Sequence, residues 1–141
     1  MYSISDFEVM APVGSRESLM AALQAGAGSI YFGIERLNMR AGSASAFTIG
    51  DLHEIAAICR EHGVKSYLTV NTIIYDEDIA LMHEIIDAAR EAGIDAIIAS
   101  DVAVMQYCRS DKREVISDKL AARENSSLIT HHLSLITHHF L

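Results

Sequence analysis

Five polar residues stand at or just beyond the ends of short hydrophobic runs, where the chemistry of an α/β protein usually gathers. They are Asn38, Arg40, Asn71, Ser100 and Asp101. Arg40 is suited to clamping a carboxylate or a phosphate with two hydrogen bonds, and the amide of Asn71 is suited to orienting a substrate. Asp101 has the chemistry of a general base, but its position before a helix favours an ordinary N-cap. We take the five as candidate substrate-binding residues and assign no catalytic residue.

The turn after the first hydrophobic run offers a second kind of chemistry. Gly14 and Ser15 precede a helix, and free amides at a helix start can hold an anion. Ser15 equally predicts an N-cap, and nucleophilic attack by Ser15 or Ser100 would need a histidine base that the strand ends do not supply. A structural role is therefore favoured for this turn.

The remaining reactive side chains favour structural explanations. Three histidines fall on predicted helices, away from the strand ends: His53, His62 and His83. Cys59 and Cys108 lie far apart without CxxC spacing, which favours core positions over a metal site. Glu8 falls in the first predicted strand. It could point into the barrel, and if it is buried and paired, a structural role is the alternative.

The elements that position these residues follow a repeated unit, in which a helix ends at glycine and a hydrophobic strand begins soon afterwards. The predicted strands cover residues 7–11, 29–33, 64–71 and 95–100, and the predicted helices cover 16–25, 51–62, 77–92 and 101–108. The glycines that end the first three helices are Gly26, Gly63 and Gly93. A recurrence of about 30 to 37 residues is close to one βαβ step.

This pattern predicts an α/β fold with a parallel sheet, because the strands are continuously hydrophobic and so are expected to be covered on both faces. About four βα units make half of a (β/α) TIM-like barrel. The alternative is an open doubly wound sheet, although the glycine fingerprint of a dinucleotide site is lacking. At the second helix, Asp51 and Glu54 predict a capping box.

The tail from about Ser110 departs from this pattern. Its sequence Ser127–His132 is repeated at Ser134–His139, with a period of seven residues. We consider three explanations: a frame-shifted or repeat-derived end, a short interaction helix whose heptad spacing aligns like residues, and a metal site built from its four histidines. The predicted division is a half barrel over residues 1–109 and an atypical tail over 110–141.

The composition fits a globular protein of the cytoplasm. Of 141 residues, 50% are hydrophobic and 21% are charged, with a net charge of −8 that disfavours nucleic-acid binding unless a local basic groove exists. No hydrophobic run reaches the roughly 18 residues of a membrane span, and the start lacks the pattern of a secretory signal. The two cysteines form no disulfide framework, which favours a reduced compartment.

Six segments, in matching order and spacing, resemble the opening of the collagenase-like peptidases, peptidase family U32. They are Met10–Ser18, Ala25–Ala27, Tyr31–Gly33, Leu37–Ala41, Tyr67–Thr72 and Asp95–Asp101. The resemblance covers roughly residues 7–109. It implies a (β/α) barrel and either peptide hydrolysis or hydroxylation of a nucleobase in transfer or ribosomal RNA, or of the ubiquinone ring.

The resemblance also implies what this chain lacks. Many relatives carry a cysteine cluster for an iron–sulfur centre further along, whereas we expect no cofactor or metal in this chain. After Arg109, Val115–Asp118 and the repeated tail replace the histidine-containing and Ser-Thr-Gln-like segments of the family. We therefore do not expect this chain to be a complete catalyst.

Two functional hypotheses follow. In the first, the chain is a truncated fragment of a U32 peptidase, or of an RNA-modifying hydroxylase, and holds half of the pocket for a peptide or an RNA. In the second, it is a non-catalytic half barrel that pairs with another copy through its exposed sheet edges. Neither hypothesis involves a membrane.

Overall fold

The computed structural model describes residues 7–34, 36–38, 47–110 and 134–137. Within them, one parallel sheet has the strand order β1-β2-β3-β4-β5. The strands are β1 (Met10–Pro12), β2 (Ser29–Gly33), β3 (Lys65–Val70), β4 (Ala96–Ala99) and β5 (Ser134–Thr137). The predicted α/β class and parallel sheet are confirmed, and closure into a barrel stays a prediction.

Helices separate the first four strands and follow the fourth. They are α1 (Arg16–Gln24), α2 (Leu52–Glu61), α3 (Ile79–Ala92) and α4 (residues 102–110), with 3-10 turns at Ile49–Asp51 and Asp76–Asp78. Each of the first three helices is followed by a glycine with positive φ, at 80° for Gly26, 66° for Gly63 and 80° for Gly93. The predicted helix-ending glycines are therefore confirmed. In the described part of the chain, no helix combines the length and the apolar character needed to cross a bilayer.

The strand register assigns side chains to two faces, because neighbours along a strand alternate. One face carries Ile30, Phe32, Leu68, Val70 and Ile97 into the main core, beneath the helices. The helices contribute stripes at three- and four-residue spacing: Leu52, Ile55, Ala56 and Cys59 from α2, and Met82, Ile85, Ile86 and Ala89 from α3. The opposite face carries a second cluster, formed by Met10, Tyr31, Tyr67, Ala96 and Ile98. Ile79, predicted on the buried stripe of α3, is instead exposed.

The start of the first strand and the capping box of α2 each lie three residues from their predicted positions. The first strand begins at Met10 rather than Phe7 and includes Pro12, which is tolerated there because β1 pairs only with β2 among the described strands. The capping box at α2 lies three residues earlier than predicted, because the Asp51 carboxylate accepts hydrogen bonds from the amide and hydroxyl of Thr48, both at 2.8 Å. Glu54 instead pairs with Arg16 of α1.

The tail contributes β5, which runs parallel to β4 and pairs Ala96 with Ser134 and Ala99 with Thr137. These four residues form a strand, so the interaction-helix explanation is wrong for them. Residues 111–133 and 138–141, with the four tail histidines, lie outside the described residues. The division at residue 109 stays a prediction.

Candidate functional site

A small pocket of about 50 Å³ opens where β2 and β3 end. It is lined by Val13, Tyr31, Phe32, Gly33, Asn38, Thr69 and Asn71. Two of the five predicted candidates, Asn38 and Asn71, thus lie together. Their meeting follows from the topology, since β2 and β3 are adjacent and parallel and both carboxyl ends reach the same edge of the sheet.

Asn38 is held rigidly in this pocket. Its side chain is buried, with the residue only 5% exposed, and Nδ2 donates a hydrogen bond to the carbonyl of Ile34 at 3.0 Å. The carboxamide lies directly over Gly33, because a Cβ added at Gly33 would fall 2.4 Å from Cγ of Asn38. Glycine is therefore required at position 33 to give the amide room.

Thr69 and Asn71 form the β3 side of the pocket. The Thr69 hydroxyl donates to the carbonyl of Phe32 at 2.9 Å, which ties the ends of the two strands together. Asn71 follows β3 directly and is partly exposed. Both asparagine side chains can donate and accept hydrogen bonds, which are the two functions needed to match the N–H and C=O groups of a peptide.

Of the other three candidates, the two described ones, Ser100 and Asp101, do not line the pocket. Arg40 lies outside the described residues. Ser100 is exposed after β4. Asp101 caps α4, since its Oδ1 accepts from the Ala103 amide at 2.8 Å, and its Oδ2 accepts from the Ile74 amide at 3.0 Å. Both carboxylate oxygens already serve the backbone, which supports the predicted N-cap rather than a general base.

An ion pair between the segments that follow β2 and β3 was not predicted. Arg36 Nη1 lies 2.7 Å from Oδ1 of the buried Asp78. The two groups form an ion pair without the geometry of a regular hydrogen bond. Asp78 Oδ2 accepts from the Tyr75 amide at 3.3 Å. The pair joins the segment after β2 to the segment after β3, and the Ile74–Asp101 bond joins the latter to α4. Both residues are present in the sequence, but no sequence pattern indicates that Arg36 and Asp78, which are 42 positions apart, form a pair.

The opposite edge of the sheet carries a structural network. The Glu8 carboxylate accepts from Lys65 Nζ at 2.7 Å and from the Tyr67 hydroxyl at 2.9 Å. The bond from Lys65 is the main reason that the pKa of Glu8 falls to about 2. The Ser29 hydroxyl adds to this effect without making a regular hydrogen bond. Glu8 is paired, but it lies before β1 and is exposed.

The Gly14–Ser15 turn satisfies its own amides. The Ser18 hydroxyl accepts from Gly14 N at 3.0 Å and from Ser15 N at 2.9 Å, and Ser15 Oγ accepts from Ser18 N at 3.2 Å. The predicted N-cap at Ser15 is confirmed. Since these amides are already bonded, the turn is not arranged as an anion site.

The cysteines are core residues, as predicted. Cys59 and Cys108 are both buried, and burial raises the pKa of the Cys59 thiol to about 11. Among the described residues, no group of three or more His, Cys, Asp or Glu side chains is placed to hold a metal. These residues therefore do not supply an iron–sulfur ligand set, and the cluster expected in full-length relatives stays a prediction. The ring of His83 stacks on the ring of Tyr107, with 3.8 Å between the ring centroids, in agreement with its predicted packing role.

Comparison with known proteins assigns the family. The sequence model of peptidase family U32 matches residues 14–126. The chain belongs to peptidase family U32. The U32 match begins and ends later than the resemblance at residues 7–109, and it continues past Arg109 into the region assigned to the tail.

The U32 relatives have different names. A collagenase of Porphyromonas gingivalis is 68% identical over 113 residues, which cover 80% of this chain and 27% of the relative. An uncharacterized protease of Methanocaldococcus jannaschii is 37% identical over 70% of this chain and 24% of the relative. A tRNA hydroxylation protein, P1, of Bacillus subtilis is 28% identical over 72% of this chain and 24% of the relative. The chain thus spans about a quarter of the length of these relatives.

Proposed function

We propose that this U32 chain supplies part of the substrate-binding site of a collagenase-like peptidase and binds an extended peptide at the carboxyl edge of its sheet. The observation that carries the proposal is the pairing of Asn38 and Asn71 in one pocket between β2 and β3. The P. gingivalis collagenase, at 68% identity, supports a peptide as the substrate class.

The geometry supports binding in a fixed orientation. Asn38 is locked by burial and by its bond to Ile34, and Thr69 joins the two strands beneath the pocket. Side chains held in this way lose little conformational entropy when a ligand arrives. The fixed amide of Asn38 and the neighbouring amide of Asn71 can therefore bind the polar groups of a peptide backbone, whatever its side chains are.

We further propose that this chain does not complete peptide cleavage by itself. Two described carboxylates that follow β3 and β4 are already engaged, Asp78 by Arg36 and Asp101 by two backbone amides. A barrel enzyme draws its catalytic groups from the ends of several strands. In this proposal, the remaining groups come from parts of the enzyme that correspond to the other three quarters of the relatives.

RNA modification is the second candidate, and the B. subtilis tRNA hydroxylation protein favours it. The charge near the pocket opposes it. Asp76 and Glu77 are exposed directly after the β3 segment, and carboxylates repel the phosphates on which RNA affinity largely depends. This local charge is why we place peptide binding first.

A self-associating half barrel is the third candidate. Among the described strands, β1 pairs on one side only, so its outer edge can accept a strand from another copy. Analytical ultracentrifugation over a range of concentrations tests this candidate. A concentration-dependent dimer would support it, and a monomer throughout would exclude it.

Peptide binding is tested by fluorescence anisotropy with a short fluorescein-labelled peptide of collagen-like sequence. Loss of one amide contact, at about 1 kcal/mol, should weaken binding by Asn71→Ala about 5-fold. Gln24→Ala is the matched control, because it removes an exposed amide at the end of α1. Equal affinities for the two variants would reject the pocket as the binding site, and no binding by the unmodified chain would reject the function.

A further inference from the structure

Three large apolar side chains are exposed on the segments that follow β3 and β4, although apolar groups of this size are usually buried. Ile73 is 67% exposed, Tyr75 is 63% exposed and Val102 is 62% exposed. We call these three residues the apolar shelf. Ile73 and Tyr75 come from the segment after β3, and Val102 is the first residue of α4.

A hydrogen bond between a backbone amide and a carboxylate links the two segments that carry the shelf. Ile74, between the two exposed residues, packs against the main core, and its amide donates to the Asp101 carboxylate at 3.0 Å. Since neighbours in extended chain point to opposite sides, an inward Ile74 sends Ile73 and Tyr75 outward. Val102 follows Asp101 directly, so all three shelf residues adjoin this hydrogen bond.

The shelf continues from the candidate pocket. Asn71 lines the pocket and lies two residues before Ile73 on the same segment. An extended ligand that contacts the Asn71 amide can therefore place its next side chains on the shelf. Burial of apolar side chains there would add affinity that the polar pocket alone does not provide.

The charge around the shelf selects the ligand further. Asp76 and Glu77 follow Tyr75 and are exposed, and neither makes an ion pair within the part of the chain that the structure describes. Asp78, the third acid of this run, is neutralised by Arg36. The two unneutralised carboxylates attract a cationic side chain and repel a phosphate. The exposed ring of Tyr75 can also accept a cation on its face.

We infer that the apolar shelf binds a peptide segment in which a large apolar residue adjoins a lysine or an arginine. This inference rests on the proposed peptide-binding function and names the sequence preference of that site. The charge complementarity favours such a peptide over RNA and over a second copy of this acidic chain, whose net charge is −8.

The test uses the full chain and three fluorescein-labelled probes. The first is a short peptide with leucine and lysine side by side, the second is the same peptide with glutamate in place of lysine, and the third is a short single-stranded RNA. We expect the lysine peptide to bind at least about 5-fold more tightly than the glutamate peptide, with the difference shrinking as salt rises. The RNA should show no saturable binding.

Variants then locate the binding surface. Tyr75→Ser with Val102→Ser should weaken the lysine peptide about 5-fold or more, and Asp76→Asn with Glu77→Gln should remove most of the preference over glutamate. Met20→Ser is the control, since Met20 is an exposed apolar residue on α1. All of these side chains are exposed, and circular dichroism melting confirms that each variant is folded.

Each other outcome overturns the inference in a recognisable way. If both peptides bind equally, or if the shelf variants bind like Met20→Ser while Asn71→Ala is weakened, the shelf preference fails and the proposed function stands. If no peptide binds, both fail. Saturable RNA binding, or a dimer that the Tyr75→Ser and Val102→Ser changes dissociate in the ultracentrifuge, would assign the shelf to a different occupant.

Discussion

The Asp101 carboxylate accepts a hydrogen bond from the Ile74 amide at 3.0 Å while its other oxygen caps helix α4 through Ala103. One side chain therefore fixes both the start of a helix and the neighbouring loop. The Arg36–Asp78 ion pair makes the corresponding link on the other side of that loop. The segment that carries the apolar shelf and follows the pocket is thus held from two directions.

Replacement of Asp101 should destabilise the chain. Asp101→Ala removes the cap of α4 and leaves the Ile74 amide without its acceptor, which together should cost about 2 kcal/mol. Asp101→Asn keeps one side-chain oxygen and should cost less. Urea denaturation followed by circular dichroism measures both changes. An unfolding free energy for Asp101→Ala equal to that of the unmodified chain would show that these hydrogen bonds contribute nothing.

Gly33→Ala should disturb the pocket. The new Cβ would lie 2.4 Å from Asn38 Cγ, so the buried amide has to move and lose its bond to Ile34. Overpacking of this kind costs about 1–3 kcal/mol. Gly14→Ala is the matched control, because a Cβ there meets no atom within 4 Å. Thermal denaturation should show a lower stability, and the peptide-binding assay a lower affinity, for Gly33→Ala but not for Gly14→Ala.

A double substitution checks the cause of that loss. Asn38→Gly removes the side chain that a Cβ at position 33 would meet. Gly33→Ala should therefore lower the unfolding free energy less in this background than in the unmodified chain. The difference is a coupling energy between the two positions. Equal costs in both backgrounds would place the strain elsewhere than at the Gly33–Asn38 contact.

The parts of the fold that were predicted correctly depend on local signals. Gly26, Gly63 and Gly93 end helices because each adopts a positive φ that other residues resist, and this is visible in the sequence alone. The buried stripes of α2 and α3 follow equally from their spacing. The capping box at α2 was misplaced because Asp51 can form a box either with Thr48 or with Glu54. In the structure the Asp51 carboxylate accepts from Thr48, and Glu54 pairs with the distant Arg16.

The location of the candidate residues also depends partly on local signals. Asn38 and Asn71 lie together because strand ends in a parallel sheet meet at one edge, whereas their role in substrate binding stays a prediction. The Arg36–Asp78 pair and the contact between Glu8 and Lys65 join residues 42 and 57 positions apart, and only the register of the folded sheet brings them together. The pairing of β5 with β4 likewise depends on tertiary contacts, since the seven-residue repeat predicted no strand.

Acid should weaken the chain through Glu8. The hydrogen bond from Lys65, followed by the Ser29 and Tyr67 hydroxyls, lowers the pKa of Glu8 from 4.5 to about 2. A lowered folded-state pKa contributes stability above the unfolded value, and that contribution is lost as the pH falls from about 4.5 towards 2. Because the side chains of Glu8 and Lys65 are 37% and 57% exposed, solvent screening limits the contribution to about 1 kcal/mol.

The Glu8 prediction is measured by urea denaturation of Glu8→Gln and of the unmodified chain across this pH range. The unmodified chain should be the more stable of the two near neutral pH, and most of the difference should be lost by about pH 2. Glu61→Gln, an exposed change on α2, serves as the control. A difference between the two chains that is constant with pH would show that Glu8 acts through packing rather than charge.

Cys59 should be unreactive while the chain is folded. Its thiol is buried beneath α2, and burial, with the nearby Asp95 charge, raises its pKa to about 11, so almost no thiolate exists near neutral pH. In a Cys108→Ser variant, where Cys59 is the single remaining thiol, modification by a chromogenic disulfide reagent should wait for unfolding. Its rate should therefore rise steeply with urea, along the unfolding curve. Modification of the folded chain as fast as that of a free cysteine would show instead an accessible, activated thiol, and would make Cys59 a candidate nucleophile for this U32 chain.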